Sequence, residues 1–321
     1  MSFEIFQESR LGQRKNNEDR VGYCYSKNSV LMVVADGMGG YEHGEVASQI
    51  TLQTLTDVFR QKVLKGFRDP KAFLLDGILA AHRAITEYAL DHFTEFPRST
   101  VVVCLIHKEK AYWAHAGDSR LYVLRNGQVF FKTHDHCRVN DLFEAGQITA
   151  EEAHNHPDRN KIYSCLGGTI TPIISISDPL AMKAGDIILL ATDGLWGNVD
   201  DASMINAFGT QPFTDSMSHL LDLAEQGGGK FCDNLSTVAL LWDGEVSEYS
   251  ITPEDLAKNE VKMEKAEPYA QDVAAVEESN NEAPPEVARE IEDVFADLRA
   301  VLEKNQPKKP KKNNKIFYPR R

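Results

Sequence analysis

Four acidic positions stand out by their setting. Val33-Val34-Ala35-Asp36-Gly37-Met38-Gly39-Gly40 carries a short apolar run, the mark of a buried strand, straight into a carboxylate and a glycine-rich turn. Glu18-Asp19, Asp193 within Ala191-Thr192-Asp193-Gly194, and Asp233 ahead of Asn234 occupy comparable places at the ends of apolar runs. A carboxylate carried inward is unfavourable unless it is paired or holds a cation. No lysine stands immediately beside any of the four, so the pattern points to a hard-metal centre. Magnesium and manganese take oxygen ligands in a near-octahedral array, a few carboxylates with several waters. Gly37 lets its own carbonyl come close to such an ion. Two ions sharing a carboxylate and a water, roughly 3.5–4 Å apart, would turn that water into a nucleophile at neutral pH. Arg14, at the head of Arg14-Lys15-Asn16-Asn17-Glu18-Asp19, suits a bidentate grip on phosphoryl oxygens. The chemistry open to this set is metal-assisted hydrolysis of a phosphate ester.

Each residue also has a plainer reading. An isolated Asp-Gly is usually a turn, and a lone arginine is usually solvated. The argument therefore rests on the set and its order. The ten histidines, including His134, His136, His154 and His156, form no His-Glu-x-x-His pair and are expected to be surface or hydrogen-bonding groups. His115 reads as a satisfied, partly buried strand residue, and Trp113 and Trp196 as packing groups.

Strands are expected at 20–25, 30–35, 99–106, 111–116, 120–125, 128–132, 186–191 and 236–242. Asn126-Gly127 is a strong hairpin signal, and Lys108-Glu109-Lys110 marks another tight reversal. Two long helices fall between Asp36 and the strand at 99. One carries Val46, Ile50, Leu52, Leu55, Val58 and Phe59. The other opens near Asp69-Pro70, with Phe73, Leu74, Ile78, Ala81 and Ile85 on one stripe. Shorter helices fit 201–208 and 215–226, the latter stopped by Gly227-Gly228-Gly229. Strands joined by short reversals and helices in sequential pairs favour an α+β fold: a four-layer α-β-β-α sandwich of two antiparallel sheets flanked by helix pairs.

The chain has 321 residues, 42% of them hydrophobic, enough for a sizeable core. Its net charge of −13 argues against nucleic acid as the main partner. The charge is uneven: residues 1–243 carry −9, 244–304 carry −11 and 305–321 carry +7. Residues 1–243 are read as the catalytic domain and 244–285 as an acidic, disordered linker. Residues 286–304 are read as an amphipathic helix with Ile291, Val294, Phe295, Leu298, Val301 and Leu302 on its stripe. Residues 305–321 form a basic tail. The helix and tail are candidate docking elements for a partner. The five cysteines (Cys24, Cys104, Cys137, Cys165, Cys232) are scattered without a CxxC pair and read as free thiols. With no secretory leader and no apolar run long enough to span a bilayer, a cytoplasmic monomer is expected.

The order of short motifs resembles the metal-dependent serine/threonine phosphatases of the protein phosphatase 2C family, particularly its bacterial branch. The resemblance covers about residues 3–243. It begins with Arg14-x-x-Asn17-Glu18-Asp19, Asp36-Gly37-Met38-Gly39-Gly40 and Gly44-Glu45-x-Ala47-Ser48. It continues through Ser99-Thr100, Gly117-Asp118-Ser119-Arg120, Thr133-x-Asp135-His136, Gly146-x-Ile148-Thr149, Arg159-Asn160 and Leu166-Gly167. Asp193-Gly194-Leu195 and Asp233-Asn234-x-Ser236-Thr237-Val238 close the series. The resemblance implies the same two-sheet sandwich and hydrolysis of phosphoserine and phosphothreonine in proteins by a water or hydroxide bridging two Mn²⁺ or Mg²⁺ ions. Asp36 would bridge the ions, Asp193 and Asp233 would complete one site, and Glu18 and the Gly37 carbonyl would serve the other. Asp19 would hold metal-bound water from outside, Asp118 would help hold a third, weaker ion, and Arg14 would bind phosphate. Residues 137–165 would form a flap beside the cleft. The implied partners are phosphoproteins and a serine/threonine kinase whose action is reversed. The chain departs from the pattern at Met38, where some relatives carry a histidine, at Arg98 and at Cys137. The rival reading is a phosphoprotein-binding regulator that keeps the fold with little turnover. The four carboxylates argue against it, because a scaffold has no use for them.

Overall fold

A computed structural model of the chain describes residues 1–38, 43–63, 66–92, 95–154, 156–208 and 211–244. In chain order the elements are β1 (Phe3–Arg10), β2 (Asp19–Ser26), β3 (Ser29–Asp36), α1 (Gly44–Val63), α2 (Pro70–His92), β4 (Val101–His107) and β5 (Lys110–Ala116). Next come β6 (Arg120–Arg125), β7 (Gln128–Lys132), α3 (Arg138–Glu144), α4 (Ala150–His154), β8 (Ser175–Ile176), β9 (Leu180–Ala181) and β10 (Ile187–Ala191). The series ends with α5 (Asp193–Trp196), α6 (Asp201–Ala207), α7 (Phe213–Gly228) and β11 (Leu235–Trp242). One sheet runs β1-β11-β10-β6-β7 and the other β2-β3-β4-β5-β8, with β9 also on β5. All these pairings are antiparallel.

The four layers follow from the two-residue period of the strands. Val30, Met32 and Val34 of β3 and Val102, Cys104 and Ile106 of β4 meet Leu121, Val123, Ile188, Leu190, Val238 and Leu240 of the opposite sheet. The intervening residues Leu31, Val33 and Leu105 are equally buried, because α1 packs on β2 and β3 and α2 on β4 and β5. The stripe read from the sequence of α2 is its buried side: Phe73, Leu74, Ile78, Ala81 and Ile85. On the other flank, Met217, Leu220, Leu221 and Ala224 of α7 pack with Leu189, Ala191 and Ala239. The sandwich is therefore the one expected.

Both predicted reversals are tight hairpins with two successive left-handed residues. Lys108 and Glu109 have φ of 50° and 61°, and Asn126 and Gly127 have 53° and 68°. A third link closes the same region: Arg125 grips Asp186 through Nε–Oδ1 at 2.7 Å and Nη2–Oδ2 at 2.6 Å, and donates to the Ala181 carbonyl at 2.9 Å. The Asp186 side chain is only 1% exposed.

Some elements differ from expectation. Strand β1 escapes the sequence pattern because Phe-Glu-Ile-Phe-Gln-Glu-Ser-Arg is a polar-rich edge strand that, among the described residues, pairs with β11 alone. Helix α7 runs through Gly227 and Gly228 and stops only at Gly229, whose φ is +50°. Gly227 is required by packing, since a Cβ there would stand 2.9 Å from the Asn198 carbonyl oxygen. Residues 137–165 include the short helices α3 and α4, the second opened by a capping box between Thr149 and Glu152. All five cysteines are free, and no described helix is long and apolar enough to cross a membrane. Apart from Gly244, the expected linker (244–285), helix (286–304) and basic tail (305–321) lie outside the described residues.

Candidate active site

The acidic residues gather at one end of the sandwich. Asp36 ends β3 and Asp19 opens β2, and the hairpin register sets them directly opposite each other. Glu18 stands one residue before β2. Asp193 is the first residue of α5, and Asp233 lies two residues ahead of β11. Because β10 and β11 are neighbours, their ends deliver Asp193 and Asp233 together. Asp118 comes from the connection between β5 and β6. A cavity of about 510 Å³ is lined by Glu18, Asp36, Gly37, Asp118, Asp193 and Asp233, with Arg14 and Lys15 from the β1–β2 connection and Asn160 and Ile162 from the 137–165 region. Of the eight residues singled out from the sequence, only Asp19 is absent from the lining. It sits behind the wall, 2% exposed, its Oδ2 accepting a 2.9 Å hydrogen bond from the Thr192 hydroxyl.

The local chain explains why these positions are held. The Asp36 N–H donates to Thr100 Oγ1 at 3.2 Å, and its carbonyl accepts from Thr100 N at 2.8 Å and Ser99 Oγ at 3.0 Å. Thr100 Oγ1 in turn pairs with Ser119 Oγ at 2.7 Å, linking the supports of Asp36 and Asp118. Gly37 and Gly44 are glycines because the chain passes too close for a side chain. A Cβ on Gly37 would lie 2.3 Å from the Gly44 carbonyl oxygen, and one on Gly44 would lie 2.5 Å from Glu18 Oε2. Asp193 departs from expectation: it begins a four-residue helix and does not end a strand.

The electrostatics are those of a wall short of positive charge. Burial, then the neighbouring carboxylates, raises Asp36 and Asp118 well above the ordinary carboxylate range. The same causes push Asp19 up to about 8 and Asp193 to about 6. Glu18 is raised by burial and then by Glu45, and its Oε2 is buried with no hydrogen-bond partner. Arg14, half exposed at the rim, pairs with Asp233 through Nη2. An oxygen-only, carboxylate-rich donor set with an orphaned buried oxygen fits a hard divalent cation. Among the described residues, no three Asp, Glu, His or Cys side chains converge closely enough to grip an ion as they stand. The carboxylates line the cavity and would have to turn inward.

Among the described residues, no histidine lines the cavity. His115 and His136 stack at 4.5 Å. His115 Nε2 meets the His134 carbonyl at 2.8 Å, and His136 Nε2 meets Ser175 Oγ at 2.9 Å. Burial pushes His136 down to about 4. Trp113 is a core residue, and Trp196 lies under the Arg120 guanidinium at 3.5 Å.

Residues 6–234 match the sequence model of a family described as protein phosphatase 2C. The chain belongs to the protein phosphatase 2C family. The serine/threonine protein phosphatase PstP of Mycobacterium tuberculosis is 34% identical over 231 residues, which make up 70% of this chain and 42% of PstP. The solved Streptococcus agalactiae serine/threonine phosphatase superposes with a TM-score of 0.69 at 28% identity, covering 75% of this chain and 99% of that one. The PstP catalytic domain in complex with two manganese ions gives 0.62 at 30% identity, covering 74% of this chain and 97% of that one.

Reading the sequence left several supports of this phosphatase 2C site without a role. Thr100 and Ser119 sit inside motifs that were recognised, and Thr192 adjoins Asp193. Asn234 adjoins Asp233 and is 6% exposed. Adjacency to a carboxylate was the available signal, but none of these residues had a visible partner along the chain.

Proposed function

We propose that this chain is a divalent-cation-dependent hydrolase of phosphoserine and phosphothreonine in proteins, and that it reverses a serine/threonine kinase. The reading is carried by one observation: a cavity walled by five carboxylates, with Arg14 at its rim. In this reading Asp36 serves two Mn²⁺ or Mg²⁺ ions. Asp193 and Asp233 complete one site, and Glu18 with the Gly37 carbonyl serves the other. Asp19 steadies the centre from behind, a role such partners generally play, and Asp118 serves a weaker third ion. The ions, when bound, supply Lewis-acid chemistry, activating water and neutralising charge on phosphoryl oxygens.

The chain's own groups do the rest. Arg14 turns from Asp233 to grip two phosphoryl oxygens, orienting phosphorus toward the carboxylate wall. The main chain of Asp36 is fixed by its bonds to Ser99 and Thr100, so only its side chain has to turn toward the ions. Met38 lines the cavity but cannot donate a proton, so the leaving seryl or threonyl oxygen takes its proton from water. No thiol competes as nucleophile: burial pushes Cys24 up to about 12 and Cys104 still further, leaving them protonated.

The test is hydrolysis of p-nitrophenyl phosphate and of phosphoserine, phosphothreonine and phosphotyrosine peptides, titrated with Mn²⁺. Activity should follow added Mn²⁺, disappear in EDTA and favour the first two peptides. Asp36→Asn should abolish turnover while its circular dichroism stays that of the parent. An active Asp36→Asn protein would remove Asp36 from the centre.

A further inference from the structure

We infer that Asn234 is a positioning residue for Arg14, its carboxamide strapping down the loop that presents the phosphate-gripping guanidinium; this deepens the phosphatase reading and rests on it. Asn234 Nδ2 donates to the Leu11 carbonyl at 2.9 Å and to the Asn16 carbonyl at 3.1 Å. Leu11 and Asn16 bracket Arg14, so a single amide nitrogen holds both ends of the loop. On the other side, Oδ1 accepts from the Glu18 N–H at 2.9 Å. The reverse amide orientation would set an oxygen against two carbonyls and an NH₂ against an N–H, so the network dictates the assignment.

The rest of the loop depends on that strap. Its other backbone tie to this segment is Gln13 N to the Cys232 carbonyl at 2.9 Å. Gly12, with φ of +61°, lies so close that a Cβ would stand 2.2 Å from the Asp233 carbonyl oxygen. Arg14 itself is held by its ion pair with Asp233. When that guanidinium swings to a phosphate, the ion pair is lost. The carboxamide then keeps the backbone beneath Arg14 in place, and with it the direction of the side chain. Asn234 touches no substrate and contributes through the pre-paid ordering of the loop.

The experiment compares wild type, Asn234→Ala, Asn234→Asp, Arg14→Ala and the Asn234→Ala/Arg14→Ala double variant, all full length. Asn234→Asp keeps the shape and the acceptor for Glu18 while removing both donors, so it serves if the alanine variant folds poorly. Two readouts are needed. Trypsin cleavage after Arg14 and Lys15, which requires no activity, should accelerate about tenfold in both Asn234 variants under native conditions. The KM for a phosphothreonine peptide in saturating Mn²⁺ should rise about tenfold with kcat changing less than about twofold, and Asn234→Ala should add nothing further in the Arg14→Ala background. Unchanged cleavage would overturn the strap whatever the protein hydrolyses. So would effects of Asn234→Ala and Arg14→Ala that simply multiply. A raised Mn²⁺ requirement at unchanged KM would also overturn it, because Asn234 would then act through Asp233. Failure of the wild type to cleave any phosphopeptide would instead sink the phosphatase reading and leave the cleavage result to decide the strap alone.

Discussion

The carboxylate wall should make the metal-free protein lose stability as the solution becomes more alkaline. At pH 7 the folded chain keeps a proton on Asp19, pushed up to about 8, that the unfolded chain has already released. Raising the pH therefore favours unfolding. Integrated from pH 7 to 8, Asp19 alone contributes a loss of about 1 kcal/mol, and Asp36 and Asp118 add to it in the same direction. For a domain of this size each kcal/mol lost lowers Tm by about 2–4 °C. Over this interval the histidines held low by desolvation are neutral in the folded chain and only about a quarter charged in the unfolded chain at pH 7. Together they offset roughly half a kcal/mol, and most thiol titration lies above the interval. Below it the histidines act with opposite sign, so the acid side would not isolate the wall. The assay is thermal unfolding by circular dichroism in EDTA at pH 7.0, 7.5 and 8.0, repeated with Mn²⁺. Because the ion competes with protons for the same oxygens, Mn²⁺ should raise Tm more at pH 8 than at pH 7. Asp36→Asn, which removes a buried carboxyl that burial and its acidic neighbours hold well above the ordinary range, should raise Tm in EDTA and blunt the response to Mn²⁺. A metal-free Tm that stays level or climbs from pH 7 to 8 would refute the reasoning, as would an equal gain from Mn²⁺ at both ends.

Arg14→Ala should raise the KM for a phosphopeptide about 10–100-fold with kcat little changed, since one charge-assisted grip is worth roughly 1.5–3 kcal/mol; steady-state kinetics decides it. Asp118→Asn should raise the Mn²⁺ concentration needed for half-maximal activity while leaving the rate at saturation within about threefold, a third ion being weaker than the core pair; a metal titration checks this. Arg125→Ala should strand the buried Asp186 and cost about 3–5 kcal/mol of stability, visible as a lower urea midpoint, without altering KM. Truncation after Asp243 should leave hydrolysis of p-nitrophenyl phosphate intact, and loss of that activity would move the catalytic boundary into the acidic stretch.

The sequence was readable where a local pattern and a buried role coincide. The apolar run into Asp36, the Asn126-Gly127 hairpin and the stripe on α2 each record their surroundings in period and turn chemistry. Strand β1 was not readable, because an edge strand has few positions to bury and its Glu4, Gln7 and Glu8 break the pattern. Helix α5 was missed because four residues are too short to show a helical period. The acidic residues of the site were legible because carboxylates in apolar settings are anomalous on their face. Their supports were not. Asn234 meets its partners across 216 to 223 positions and Thr192 meets Asp19 across 173, so nothing local marks an amide or a hydroxyl as special.

The place of β11 bears on how this chain comes into being on the ribosome. It is the final strand among the described residues, yet it inserts between β10 and β1, and among those residues β1 has no other neighbour. Until that last strand emerges, the start of the chain must wait unpaired, and Asp233 and Asn234 arrive with the strand itself. A nascent or prematurely terminated product ending before this point would carry Arg14 on an unfastened loop and lack one wall of the cavity.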